Sequence, residues 1–285
     1  MTKEGVRPLF ESFRREFHRN LCRTVLGYRV GSDVPSNADR DSRLSVTVAK
    51  ALLRQLSCDE EPDVPSPQRS GKMFEKMVLE FLRDSFGALQ HLRPGKWIYS
   101  VHAKITEFVQ YEHLADLNSA LSEHPTLRAT LGDYLVKPDI VIAREPIDDA
   151  EIDHGQRLVS ARVATLTPLR ASNQKARILH ASISCKWTIR SDRSQNARTE
   201  GLNLIRNRKG SAPHVAIVTA EPLPSRIASL ALGTGDLDCV YHFALYELQT
   251  ALNEVGDDSS RDMLDLMIRG KRLRDISDLP FDLAT

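Results

Sequence analysis

An α/β domain with a central mixed β-sheet flanked by α-helices is the fold class this sequence predicts, and three observations carry it. Short apolar runs ("YLVKPDIVIARE", "HASISCKW", "HVAIVTAE", "DCVYHFA") alternate with stretches of helical periodicity. Long amphipathic helices precede the first of these runs, which favours a mixed sheet with helical layers. No repeat, low-complexity tract or sharp break in composition divides the chain, so residues 1–285 are read as one domain.

In order along the chain, "RPLFESFRREFHRNLCRTVL" and "SRLSVTVAKALLRQLS" read as amphipathic helices separated by the polar loop "GSDVPSNADRD". "CDEEPDVPSPQRSG" is rich in proline and acid and reads as a loop. The following helix places Phe74, Met77, Val78, Phe81, Leu82 and Leu89 at helical spacing. Another helix lies within 111–131, interrupted near Pro125, and a strand follows Pro138. Residues 145–178 read as mostly irregular with one possible strand. Then come a strand over 179–188, a helix around 194–208 closed by Gly210, the strand "HVAIVTAE" and a helix after Pro224. The strand "DCVYHFA" and the helix "LYELQTALNEV" close the pattern.

The composition is that of an ordinary soluble globular protein, with 41% hydrophobic and 27% charged residues. Its formal net charge of +1 shows no global bias towards nucleic acid. Residues 186–210 depart from that mean, with seven Lys/Arg against Asp192 and Glu200. Such an excess can face phosphates, and a solvated charged helix is the competing reading. The N-terminus is too charged for a signal peptide, and no apolar run approaches membrane-spanning length. Cys22, Cys58, Cys185 and Cys239 are scattered, so neither a zinc site nor a disulfide framework is expected, and a cytoplasmic location is.

Strand alternation over 179–188 puts Ala181, Ile183, Cys185 and Trp187 on one face and Ser182, Ser184, Lys186 and Thr188 on the other. Lys186 is thus expected to project from a central strand into a polar cleft; an edge strand with a solvated face is the alternative. In the helix that follows, Ala197, Gly201, Leu204 and Ile205 form the apolar stripe, and Glu200 borders it. A carboxylate there is costly unless a cation or hydrogen bonds compensate. Asp139 is the last polar residue before the strand "IVIA". If the strands at 139 and 186 are neighbours, Asp139, Lys186 and Glu200 could converge. Two carboxylates and a lysine are what metal-dependent phosphodiester hydrolysis needs.

This arrangement resembles the PD-(D/E)xK nuclease superfamily, with one departure: Ser184 stands two residues before Lys186, where the superfamily has a second acid. The departure resembles a subgroup of type II restriction endonucleases whose second carboxylate has moved to the neighbouring helix, where Glu200 stands. The blocks "HASISCKWTIRSDRSQNAR", "EGLNLIRNRKG", "VTAEPLPSRIASLALGTG", "CVYHFALYEL" and "GKRLRDISDLP" are similar to the tetrameric, GCCGGC-cutting members of that subgroup. Agreement is looser over 20–60 and 100–175.

The resemblance implies a restriction-endonuclease-like core and a Mg²⁺-dependent endonuclease of double-stranded DNA, with two ions per active site. It implies Asp139, Glu200 and the backbone carbonyl of Cys185 as metal ligands and Lys186 at the attacking water. Ser184 occupies the vacated acid position, and Glu75, in "SGKMFEKM", matches a further active-site glutamate. In "RSDR", Arg190 and Arg193 have the chemistry to contact guanine O6 and N7, and Asp192 to accept from cytosine N4. The family assigns that trio to an inner CCGG, Arg226 to the outer base, and Ser36 and Gln68 to the vicinity of the minor groove. Arg198, Arg206, Arg208 and Lys209 are expected at phosphates, in salt bridges or on the surface. A homotetramer holding two DNA duplexes, and a cognate DNA methyltransferase that protects host DNA, are implied in the same way. A relative with another CCGG-centred site such as RCCGGY, or a catalytically silent DNA-binding protein on the same scaffold, are the alternatives.

Overall fold

Among the described residues, six strands form one mixed sheet whose spatial order is also their order in the chain. They are β1 (Trp97–Val101), β2 (Ile140–Arg144), β3 (Ile178–Lys186), β4 (His214–Thr219), β5 (Cys239–His242) and β6 (Leu273–Asp275). The α-helices among the described residues are α1 (Leu9–Thr24), α2 (Arg43–Gln55), α3 (Pro67–Gly87), α4 (His113–Ser122), α5 (Asp149–Asp153) and α6 (Ser191–Asn207), then α7 (Pro224–Ala231), α8 (Leu245–Val255), α9 (Asp258–Arg269) and α10 (Leu279–Ala284). The structure, a computed structural model, describes residues 7–29, 31–58, 64–126, 129, 135–189, 191–233 and 235–285; over 191–195 it describes the backbone alone.

β1 pairs antiparallel with β2, and β2 antiparallel with β3, Ile140 lying opposite Ile183. β4, β5 and β6 pair in parallel. Parallel neighbours need a crossover, and α7 supplies it between β4 and β5, α8 and α9 between β5 and β6. The strands at 139 and 186 are therefore neighbours, as the sequence reading required. β3 is an interior strand, which removes the edge-strand alternative. Its alternation holds from Ser184 onwards: Ser184, Lys186 and Thr188 are half-buried, while Cys185, Trp187 and Ile189 are buried. Nearer its start the polar face is covered too, with His180 and Ser182 buried.

Packing divides the chain into two compact units: Met1–Arg93 with Ser184–Thr199 and Val215–Thr285, and Pro94–Ile183 with Glu200–His214. In the first, α1 and α10 pack on α3, α2 on α8 and α7 on α9. The Arg14 guanidinium joins three of its elements, donating to both carboxylate oxygens of Glu247 on α8 and of Asp275 at the end of β6. Asp275 is fully buried and also accepts from the Leu245 amide (3.0 Å) and caps the turn that follows it. In the second unit, the Gln110 side chain pairs with both backbone groups of Leu179, as a neighbouring strand would. The stretch between β2 and β3 is irregular apart from α5. The buried Arg170 organises it through Asp149 and the carbonyls of Ser160, Val163 and Ala164.

Two sequence expectations need correction. Cys22, on α1, is disulfide-bonded to Cys58, just beyond α2, with Cα atoms 5.2 Å apart. Spacing alone carried no sign of it, because helix packing sets which cysteines meet. Residues 97–101, 258–269, 273–275 and 279–284 also form elements that periodicity did not reveal. β1 is only half-buried, and β6 has three residues, too few to show alternation.

One more buried pair lies where β4 and β5 end. The His242 ring is fully buried: its Nδ1 accepts from the Ala244 amide (3.2 Å), which leaves Nε2–H to donate to the Glu221 carbonyl (3.2 Å). That pattern requires a neutral ring, and burial lowers its pKa to about 4. The Glu221 carboxyl, 0% exposed, is pushed up to about 7, mainly by burial and against the pull of its backbone donors.

Replacing Arg14 with Ala leaves two carboxylates facing each other and should cost about 3–5 kcal/mol in urea unfolding; a loss below about 1 kcal/mol would show the triad to be energetically idle.

The titrations of His242 and Glu221 oppose each other. His242 stabilises fully above its ordinary 6.5, and that contribution is lost as pH falls towards about 4. Glu221 contributes below its ordinary 4.5, and the contribution is lost as pH rises through about 7. Glu221→Gln removes only the second. Its stability should therefore fall more steeply than the parent's between about pH 7 and about pH 5. Parallel urea-unfolding profiles for the two proteins would contradict this assignment.

Candidate active site

The end of β3 is fixed by the strand beside it. The Lys186 carbonyl accepts from the Thr219 hydroxyl (2.8 Å) and from the Ala220 amide (3.1 Å). Trp187 turns to the opposite, buried face, donates its indole N–H to the Ser36 carbonyl (3.2 Å) and meets Phe74 edge-on, 5.3 Å between centroids. Phe74 is on α3, so the helix that carries Glu75 packs against the residue following Lys186. Strand alternation then sends Ser184 and Lys186 to the half-exposed face and the buried Cys185 to the other.

Three residues beyond Lys186, Ile189 is held at both backbone groups. Its amide donates to Glu221 Oε2 (2.8 Å), and its carbonyl accepts from Arg226 Nη1 (3.4 Å). Glu221 also accepts from the Leu223 amide (3.2 Å) and lies 3.9 Å from Arg226. The Arg226 guanidinium is further ion-paired with Asp39. Asn37, fully buried, ties that loop to β4 by donating to the Ala220 carbonyl (2.9 Å).

Within the second unit, Asp139 is half-buried immediately before β2, and its carbonyl accepts from the His102 amide (3.2 Å). A ring nitrogen of His102 and a carboxylate oxygen of Asp139 lie within 4.8 Å of each other. His102 takes a left-handed backbone, φ 54°, uncommon without glycine and found where a side chain must be aimed. An oxygen and a nitrogen donor at that separation suit a divalent cation. Glu200 is half-buried on α6, beside the buried Gly201 and Leu204. That helix is held by the Tyr111 hydroxyl, which donates to the Leu204 carbonyl (2.9 Å).

Asp139 and Glu200 thus belong to the second unit, and Glu75, Ser184, Cys185 and Lys186 to the first. The first unit brings Ser36 and Arg226 to the segment that follows β3. Ser36 is buried and its hydroxyl donates to the Val25 carbonyl (2.6 Å). Gln68 is exposed in the first turn of α3. Arg190 and the side chains of Asp192 and Arg193 lie outside the described residues. Of the remaining basic residues, Arg198 is in a salt bridge with Asp236 (2.6 Å). Glu221, Asp39 and His102 were not singled out from sequence. A glutamate closing the buried run "HVAIVTAE" was the one local sign, since a carboxylate there must find donors.

Comparison with known proteins gives three likenesses. The family model described as NgoMIV restriction enzyme matches residues 17–285. The type II restriction enzyme NgoMIV of Neisseria gonorrhoeae is 48% identical over 285 residues, covering 98% of this chain and 100% of that protein. A restriction endonuclease PspGI–substrate DNA complex aligns over 97% of this chain and 92% of that chain, with 14% identity and a TM-score of 0.30. On the family model and the full-length identity, this chain belongs to the NgoMIV restriction enzyme family and is a type II site-specific deoxyribonuclease.

Proposed function

We propose that the chain, as one endonuclease domain over 1–285, cuts double-stranded DNA at GCCGGC after the first G in a Mg²⁺-dependent reaction. The observation that carries this reading is the 48% identity over the whole length of a type II restriction enzyme, and the family match over residues 17–285 spans every residue assigned below. Asp139, Glu200 and the Cys185 carbonyl would hold Mg²⁺, two ions per site, through the hard oxygen donors that cation takes. When bound, the metal neutralises charge on the scissile phosphate and acidifies a water. Lys186 orients the attacking water and places its ammonium against the charge that develops on the phosphate oxygens. Glu75 adds a carboxylate from α3, and Ser184 leaves space where a second acid would otherwise stand.

In this reading Arg190 and Arg193 donate to guanine, and Asp192 accepts from cytosine across the inner CCGG. Arg226 reads the outer base pair, with Gln68 and the Ser36 loop near the minor groove. The enzyme acts in the cytoplasm as a homotetramer on two duplexes, beside a methyltransferase that protects host DNA.

Digestion of a sequenced plasmid with Mg²⁺ should give ends mapping to GCCGGC. Asp139→Ala and Lys186→Ala should each cut at least about a hundredfold more slowly while binding the site normally in Ca²⁺. Cleavage by either variant within a few-fold of the parent, or ends at another sequence, would overturn the corresponding part.

A tetramer on two duplexes should cut a two-site plasmid faster than a one-site plasmid, because tethering raises the effective concentration of the second site. A short duplex carrying the site should stimulate cutting of the one-site plasmid. Equal rates without stimulation, from a monomer or dimer by light scattering, would reject tetrameric action.

A further inference from the structure

Base reading by a short segment demands that its backbone start from a fixed point, since misplacement by about 1 Å can cost a hundredfold in a polar constellation. The segment 190–193 starts directly after Ile189. That residue is secured three ways: its side chain is 2% exposed, its amide donates to Glu221 and its carbonyl accepts from Arg226. Glu221 is itself fully buried, a costly place for a carboxylate that touches no described catalytic group. A structural cap for Leu223 alone would need one of its oxygens. The other is spent on Ile189, thirty-two residues back in the chain.

We propose that Glu221 is a positioning residue for DNA recognition: with Arg226 it clamps both backbone groups of Ile189, so that the chain enters segment 190–193 from a set position and direction. The inference rests on the reading of Arg190, Asp192 and Arg193 as base contacts. The clamp also gives Arg226 two tasks. It holds the Ile189 carbonyl while its own guanidinium is oriented by Asp39 and Glu221. Inner and outer base reading are thereby tied to one buried carboxylate. The same element fixes Lys186, because Thr219 and Ala220, which bind the Lys186 carbonyl, immediately precede Glu221.

The test uses the full chain and its Glu221→Ala, Glu221→Gln and Arg190→Ala variants. Affinity is measured in Ca²⁺ for a GCCGGC duplex and for an unrelated duplex, well below each melting temperature. Glu221→Ala should lose about tenfold in specific affinity with unrelated-duplex binding unchanged. Glu221→Gln keeps one carbonyl acceptor and should show a smaller loss in the same direction. It is nearly isosteric, so it decides the matter if the alanine variant does not fold. A merely structural role lowers the melting temperature and leaves the ratio of the two affinities untouched. A folded Glu221→Gln with the parent's ratio, while Arg190→Ala loses discrimination, overturns the clamp alone. An unchanged ratio in Arg190→Ala overturns the base-reading segment and the clamp together.

Discussion

The carbonyl of Lys186 is where the end of β3 is tied to the end of β4. It accepts a hydroxyl and an amide from the end of β4, which stops β3 from fraying just where its polar face opens. Everything downstream inherits that register. Trp187 is sent inward to Phe74 and Ser36, Thr188 outward, and Ile189 inward to Glu221. A slip of one residue would exchange the two faces, burying the lysine and exposing the tryptophan. The ammonium is aimed by strand geometry, without depending on the conformation of a loop.

Around that strand end the core is unusually polar. Asn37, Thr219, Glu221 and His242 are all fully buried in the first unit, and each is hydrogen-bonded to a backbone group there. Such groups add little net stability, since desolvation offsets most of what their hydrogen bonds contribute. Their effect is to penalise every arrangement in which they lose a partner, which narrows the ensemble around the end of β3. The His242 ring illustrates this: only its neutral form satisfies both the Ala244 amide and the Glu221 carbonyl, and burial lowers its pKa.

Much of this was legible locally. The apolar spacing of α1, α2 and α3, the runs at β2 and β4, and the alternation of Ser184, Cys185, Lys186 and Trp187 follow from side-chain periodicity, which a strand or helix expresses wherever it lies. The half-buried position of Glu200 also followed from its place beside Ala197, Gly201 and Leu204. The weak elements escaped for the converse reason: β1 is half-exposed along its whole length and β6 is too short to carry a pattern.

By itself, then, the sequence determined the alternating elements, the face on which Lys186 stands, and the family, because those properties are set by neighbours a few residues apart or by long matching blocks. Tertiary structure alone decided the long-range partners. Arg226 meets Asp39 across 187 residues, Arg14 meets Asp275 across 261, and Cys22 meets Cys58 across 36. No local pattern encodes such pairings, because each arises only once the helices have packed and the sheet has set its order. The ion pairs and the buried carboxyl of Glu221 also depend on desolvation, a property of the surrounding packing that a residue's neighbours in sequence do not determine.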